Sequence, residues 1–367
     1  MDLLSILLIL TLLAVNTLLL VKGNIKVQRL ALIAIIVVFS YICAVRPETS
    51  ADTSNYLFYY EKAQSLTSLK WGLGRDYNPW IENWYINYCW LLNRIGLSFR
   101  QYLFVTSFLF NILSLFSIVS IYNSLYKDNR KINGLVSVIL LFFTQYGILY
   151  SYVAIRAGLA MAFCLTATAL YYKKKYVFSV LFLLLAIAFQ NYSIAFVIVL
   201  ILLMIRKENR NNKLLMAVFI LLLLLSFVRI DIRITSLLSR IPALRNIFQN
   251  TTYYEAADST FGIKKGILLY LVQNIYLLYL LKDRYENKIN NLFAIILVGG
   301  IIVASVSSNS TIRLANYFLV FQVFLYTEYL NGMTYDNGKE RAVHLIIITI
   351  LVPVLSTIYM LRYCGII

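Results

Sequence analysis

Apolar residues run along this chain in long blocks separated by short polar, basic breaks. Blocks such as "LLSILLILTLLAVNTLLLV" and "QYLFVTSFLFNILSLFSIVSIY" approach the roughly 20 apolar residues that cross a bilayer as helix. Taken in order, the blocks predict an all-α, polytopic integral membrane protein of about twelve transmembrane helices. They fall near 2–21, 30–45, 101–122, 135–150, 156–172, 176–190, 191–205, 214–228, 266–281, 291–306, 312–330 and 342–361. Several are short, so tilting or local thinning is expected, and two of the hairpins leave a re-entrant reading open. The first block lacks the basic start and small-residue cleavage site of a signal peptide, and it reads as a retained span. With no fixed-period repeat and no low-complexity linker, one membrane domain over 1–367 is expected.

Two breaks are too long to be simple turns, at 46–100 and 229–265. Both halves of the first read as amphipathic helices rich in tyrosine and tryptophan, a composition suited to a membrane interface. In the second, Ile230, Ile234, Leu237, Leu238 and Ile241 share a face at about 100° per residue. Arg229, Arg233 and Arg240 gather on the adjacent strip, and Pro242 ends or kinks the helix.

Composition sharpens the class. The chain is 61% hydrophobic and 13% charged, with a mean hydropathy of +0.76, against about 25% charged in soluble domains. A net charge of +17 would suggest nucleic acid in a soluble protein. Here the basic residues lie mostly in short loops and set orientation instead. "KGNIKVQR", "YKDNRK", "KKK", "RKENRNNK", "KDRYENK" and "GKER" carry two to four each, whereas the alternate short loops carry one or none. The richer set is therefore expected in the cytoplasm, with both termini and both long loops outside. Four scattered cysteines and one histidine, His344, indicate neither a disulfide framework nor a multi-histidine metal site. No glycine-rich phosphate loop is present, and Glu328, near a cytoplasmic end, is the one helix-embedded carboxylate suited to ion coupling.

Against that background the arginines on the outer side stand out. Arg156 sits in the otherwise apolar "YSYVAIRAGLAMAFC", Arg313 opens a span in "SSNSTIRLANYF", and Arg46 lies just beyond the second span. Each has an ordinary reading as a snorkelling residue or as half of a carboxylate pair, Arg46 with Glu48 for example. As a group beside the arginines of 229–265 they suit phosphate oxygens, which the planar guanidinium fork matches better than an ammonium does. Asp52, followed on one helical face by Tyr56 and Tyr59, and Glu82, leading into "NWYINYCWLL", combine carboxylates with aromatic rings as a sugar site would. The same residues also suit solvated helix faces.

Five segments, in order, resemble the EpsG/Wzy group of bacterial polysaccharide polymerases: "ADTSNY", "WIENWYINYCWLLNRIG", "VAIRAGLAMAF", "LLLAIAFQNYSIAFVIV" and "TIRLANYF". The resemblance covers most of the chain and implies a glycosyltransferase of the bacterial plasma membrane with its site facing outward. Its substrates would be undecaprenyl-pyrophosphate-linked oligosaccharides as donor and acceptor. A chain-length regulator and a flippase would be its protein partners, and no cofactor or metal would be needed. An acceptor hydroxyl would attack the anomeric carbon while arginines hold the departing pyrophosphate. The family often has histidine where this chain has Gln190, and a glutamine cannot take a proton. That leaves Asp52 as the first and Glu82 as the second candidate base, with Gln190 orienting a hydroxyl or phosphate. A lipid-linked oligosaccharide flippase, an O-antigen ligase and a metal-dependent lipid-phosphate-sugar glycosyltransferase, with Asp52 as metal ligand, are the alternatives.

Overall fold

The computed structural model describes residues 25–48, 52–71, 81–126, 132–147, 149–205, 287–305 and 309–326, with a few isolated positions elsewhere. The expected spans near 2–21, 214–228, 266–281 and 342–361, and the loop 229–265 with Arg229, Arg233 and Arg240, lie almost wholly outside these residues. Among the described residues every extended element is helical. The chain separates into two compact units, Met1–Ile194 with Leu330–Ile367, and Ala195–Tyr329.

The first unit contains α1 (Ile25–Ala44), α2 (Thr53–Gln64), α3 (Asn83–Arg94), α4 (Phe99–Leu125), α5 (Ile132–Phe142), α6 (Ile155–Tyr172) and α7 (Tyr176–Phe189). α4 starts at a capping box, in which the Ser98 hydroxyl accepts from the Gln101 amide and the Gln101 side chain accepts from the Ser98 amide. At 27 residues it is about 40 Å long. It and α6 are, among the described residues, the two helices long and apolar enough to cross a membrane. Leu30–Ala44, Leu135–Gly147, Tyr176–Phe189, Leu292–Ile302 and Leu314–Tyr326 are shorter apolar helical stretches.

Packing in this unit combines buried apolar side chains with a share of small polar ones. Small polar side chains line the inside: Ser40, Ser107, Asn111, Ser114 and Ser117 are fully buried. Ser117 meets Thr166 at 2.9 Å between α4 and α6, Asn111 donates to Ser40 at 3.2 Å between α4 and α1, and Ser179 donates to the Ala167 carbonyl at 2.7 Å between α7 and α6. Bulky apolar residues face outward, including Leu30, Ile33 and Val37 on α1 and Val177, Phe178 and Leu181 on α7, with Val177 73% exposed. Lipid-embedded bundles pack this way, because close backbones and interhelical hydrogen bonds replace the hydrophobic driving force.

Between α5 and α6 the chain passes through two π-helical turns, Phe143–Gly147 and Leu149–Val153. The sequence placed the end of one span and a turn here, and continuous apolar pattern gives no cue to the wider winding. The second turn packs on α6 so closely that a Cβ at Gly158 would strike the Tyr150 carbonyl oxygen, which accounts for the glycine in "AIRAGLA".

The segment 46–100 is helical in both halves, as its pattern predicts. α3 is more deeply packed than an interfacial helix would be, with Tyr85, Ile86 and Cys89 fully buried. Its other face holds the chain leading from α2. Trp90 Nε1 donates to the Leu66 carbonyl at 3.1 Å, and Asn83 Nδ2 to that of Trp71 at 3.3 Å. Asn87 bonds both backbone groups of Lys70, at 2.9 and 2.7 Å, and Asn93 donates to the Tyr60 carbonyl at 2.7 Å.

The second unit contains α8 (Ala195–Ile205), α9 (Asn287–Ser305) and α10 (Asn309–Leu319). Phe196 of α8 lies 6.4 Å from the ring of Tyr317 and 6.0 Å from that of Phe321. Arg313 falls within α10.

Candidate functional site

Four of the five singled-out segments supply residues to one cluster in the first unit. Glu82 is its centre. It occupies the N-cap position of α3 in extended backbone, yet its side chain makes no cap bond to that helix. Instead the fully buried carboxylate reaches across to two other segments. One oxygen takes Arg156 Nη1 at 2.8 Å, and the other takes the Asn191 backbone N–H at 3.1 Å.

Both donors are where their local structure puts them. Arg156 is the second residue of α6, and its side chain is 18% exposed, so one end is anchored while the group borders solvent. Its guanidinium also lies 5.8 Å from the centroid of the Tyr85 ring, within cation–π range. Asn191 opens a 3-10 turn, Asn191–Ile194, immediately after α7. A carboxylate on the first amide of such a turn satisfies a donor that helical bonding leaves unpaired. The preceding residue, Gln190, is buried in extended conformation, and its Oε1 has no hydrogen-bond partner among the described residues.

A second arginine is joined to this cluster through rings. Tyr85 packs edge-on against Tyr56 at 6.4 Å, and the Arg46 guanidinium lies 5.8 Å from the centroid of the Tyr56 ring and 5.6 Å from that of Tyr152. Arg46 is 3% exposed, and among the described residues none of its three guanidinium nitrogens has an oxygen acceptor. The pairing with Glu48 that adjacency suggested does not form, because Glu48 is exposed while Arg46 turns inward.

On the more open side stand Asp52 and Tyr59, both partly exposed. Asp52 precedes α2 in the left-handed region at φ 61°, a conformation that aspartate tolerates better than most residues. Partial burial pushes the Tyr59 phenol above its usual range, with the Arg156 charge drawing it down and the Asp52 charge pushing it up. Asp52 and Arg156 therefore both lie within electrostatic reach of Tyr59.

Of the residues named from sequence, Arg156, Glu82 and Gln190 come together through Asn191. Arg46 and Tyr56 join them through Tyr85, whereas Asp52 makes no side-chain contact with them among the described residues and shares only an electrostatic effect on Tyr59 with Arg156. Tyr56 is buried, with its ring against Arg46 and Tyr85. Arg313 belongs to the other unit. Sequence reasoning passed over Asn191, whose part is played by its backbone, and Tyr85, which the spacing Glu82-x-x-Tyr85 places on the helix face of the carboxylate. Cys89, one turn further along α3, is walled in. Burial pushes its thiol up to about 12, against the opposing effects of hydrogen bonds from Tyr102 and Tyr85 and of the Arg156 charge.

The first unit thus combines outward-facing apolar side chains, polar contacts between helices and a buried arginine–carboxylate cluster. The chain belongs to the EpsG family, whose model matches residues 29–365. No curated protein and no solved structure matches it.

Proposed function

We propose that this chain is a membrane glycosyltransferase of about twelve spans that polymerises lipid-linked oligosaccharide repeat units at the outer face of the bacterial plasma membrane. Membership of the EpsG family points to polysaccharide polymerisation. The observation that carries the reading further is Arg46: a buried guanidinium whose three nitrogens have no oxygen acceptor among the described residues. The Tyr56 and Tyr152 rings offset only part of the cost of burying this charge without an oxygen acceptor, and an anionic ligand would recover the rest.

In the proposed reaction the acceptor sugar hydroxyl attacks the anomeric carbon of the growing chain. The C–O bond to the carrier breaks, and its electron pair leaves with undecaprenyl pyrophosphate. Arg46 and Arg156 bind the pyrophosphate as its charge develops. Prepositioned cations in a poorly hydrated site stabilise charge that forms in the transition state. Asp52, partly exposed beside Tyr59, takes the hydroxyl proton, and Gln190 orients the reacting groups by hydrogen bonding.

Deletion of the gene, followed by gel analysis of surface glycans, tests the assignment. Loss of a polymerase leaves single repeat units on the surface. Complete absence of surface glycan would mark a flippase, and long chains retained on the carrier lipid would mark a ligase.

A further inference from the structure

We propose that Glu82 is a positioning residue, which sets the Arg156 guanidinium and the Gln190 side chain relative to each other, and not the group that takes the proton. The inference rests on the polymerase reading for its consequence, and on geometry for its content. Each carboxylate oxygen already accepts a hydrogen bond, from Arg156 Nη1 at 2.8 Å and from the Asn191 amide at 3.1 Å. A base needs an oxygen open to the hydroxyl it deprotonates, and this carboxylate is 0% exposed.

What the carboxylate does instead follows from the elements it joins. α3, the start of α6 and the turn after α7 are separated by 74 and 109 residues from Glu82 to its two partners, and one side chain ties all three. The hold on Asn191 fixes the backbone next to Gln190, a buried amide whose oxygen has no hydrogen-bond partner among the described residues. That turn is closed independently by the Ser193 amide, which donates to the Gln190 carbonyl at 2.9 Å. Its own bond thus shapes the turn, and Glu82 places it against α3. On the other side Arg156 is held at one nitrogen and against the Tyr85 ring, which limits the directions its fork can face. A displacement of about 1 Å in such a group can cost about a hundredfold in rate.

The test uses the full-length protein in lipid nanodiscs with Glu82→Gln and Glu82→Ala variants. Glutamine keeps an acceptor for the Asn191 amide but loses the charge that orders Arg156, and it guards against a variant that fails to fold. In Glu82→Gln, kcat for joining lipid-linked repeats should fall about tenfold with KM changed less than kcat. The acid limb of its kcat–pH profile should stay where the wild type has it, because the proton acceptor is a different group. Amide exchange across residues 190–194 should quicken in Glu82→Ala, a readout that needs no turnover. Disappearance of the acid limb in Glu82→Gln would make Glu82 the base and overturn the proposal. Unchanged exchange, or faster exchange with unchanged kcat in both variants, would overturn it equally. A wild-type protein that makes no polymer would remove the polymerase reading on its own, and the exchange measurement would then decide whether the clamp stands.

Discussion

Arg46 and Arg156 stand at the two ends of one run of contacts, Arg46–Tyr56–Tyr85–Arg156, and differ in what they lack. Arg156 has a carboxylate partner and partial exposure, whereas Arg46 has neither. Their variants should therefore behave differently. A charged hydrogen bond is worth roughly 1.5–3 kcal/mol, so Arg156→Ala should cut polymerisation by about tenfold to a hundredfold at normal expression. Arg156→Lys should recover part of that, since it keeps the charge and loses the fork. Full activity in the lysine variant would reduce Arg156 to a membrane anchor. Arg46→Met removes a buried charge with no oxygen acceptor among the described residues, and the thioether keeps contact with the Tyr56 and Tyr152 rings, so the folded protein should gain about 1 kcal/mol or more in stability while polymerisation is lost. Thermal denaturation in detergent would check this, and a lower Tm in Arg46→Met would contradict it.

At the scale of elements, α3 holds the site from both faces. One face carries Glu82, Tyr85 and Cys89 inward, and the other grips residues 60–71 through Asn83, Asn87, Trp90 and Asn93. Asn87 makes two backbone bonds to Lys70 while 7% exposed. Asn87→Ala should thus destabilise the protein by about 1–3 kcal/mol, read as a lower Tm. The inward face gives a second check. With its thiol pushed up to about 12 by burial, Cys89 should resist maleimide at pH 8 in the folded protein and react once it is denatured, since the thiolate is the nucleophile. Prompt labelling without denaturation would mean that α3 is not packed as described. Much of this level was legible in the sequence. The block edges at "KKK" and "FQN" predicted helices at 156–172 and 176–190, and the structure has Ile155–Tyr172 and Tyr176–Phe189. Charge and polarity mark where an apolar helix must stop, so those ends could be read. The π turns at 143–153 could not, because winding leaves no trace in an unbroken apolar run. Nor could the partner of Arg156 be chosen, since Glu82 lies 74 residues away among several outer-side acids of equal standing. The identities of Arg156, Glu82 and Gln190 were legible as chemistry, but their junction at the Asn191 amide depends on backbone that no side-chain pattern encodes.

For the whole molecule, the basic loops predict that 46–100 and 229–265 lie outside the cytoplasm and "KKK" inside. Cysteines introduced by Asp258→Cys and Lys174→Cys would report this. In intact cells the first should label, and the second only after permeabilisation; the reverse pattern would place the arginine cluster on the wrong side for an outer-leaflet substrate. The central claim is that arginines in this chain hold a carrier pyrophosphate while lipid-linked repeats are joined. It is tested most directly by adding undecaprenyl-pyrophosphate-linked repeat units to the purified full-length protein in excess EDTA, with chain length and released carrier measured together. The account predicts a ladder of polymers, one undecaprenyl pyrophosphate released per linkage, and both reduced at least about tenfold in Arg156→Ala. A ladder that forms only when magnesium or manganese is restored, or one that is unaffected in Arg156→Ala, would contradict it.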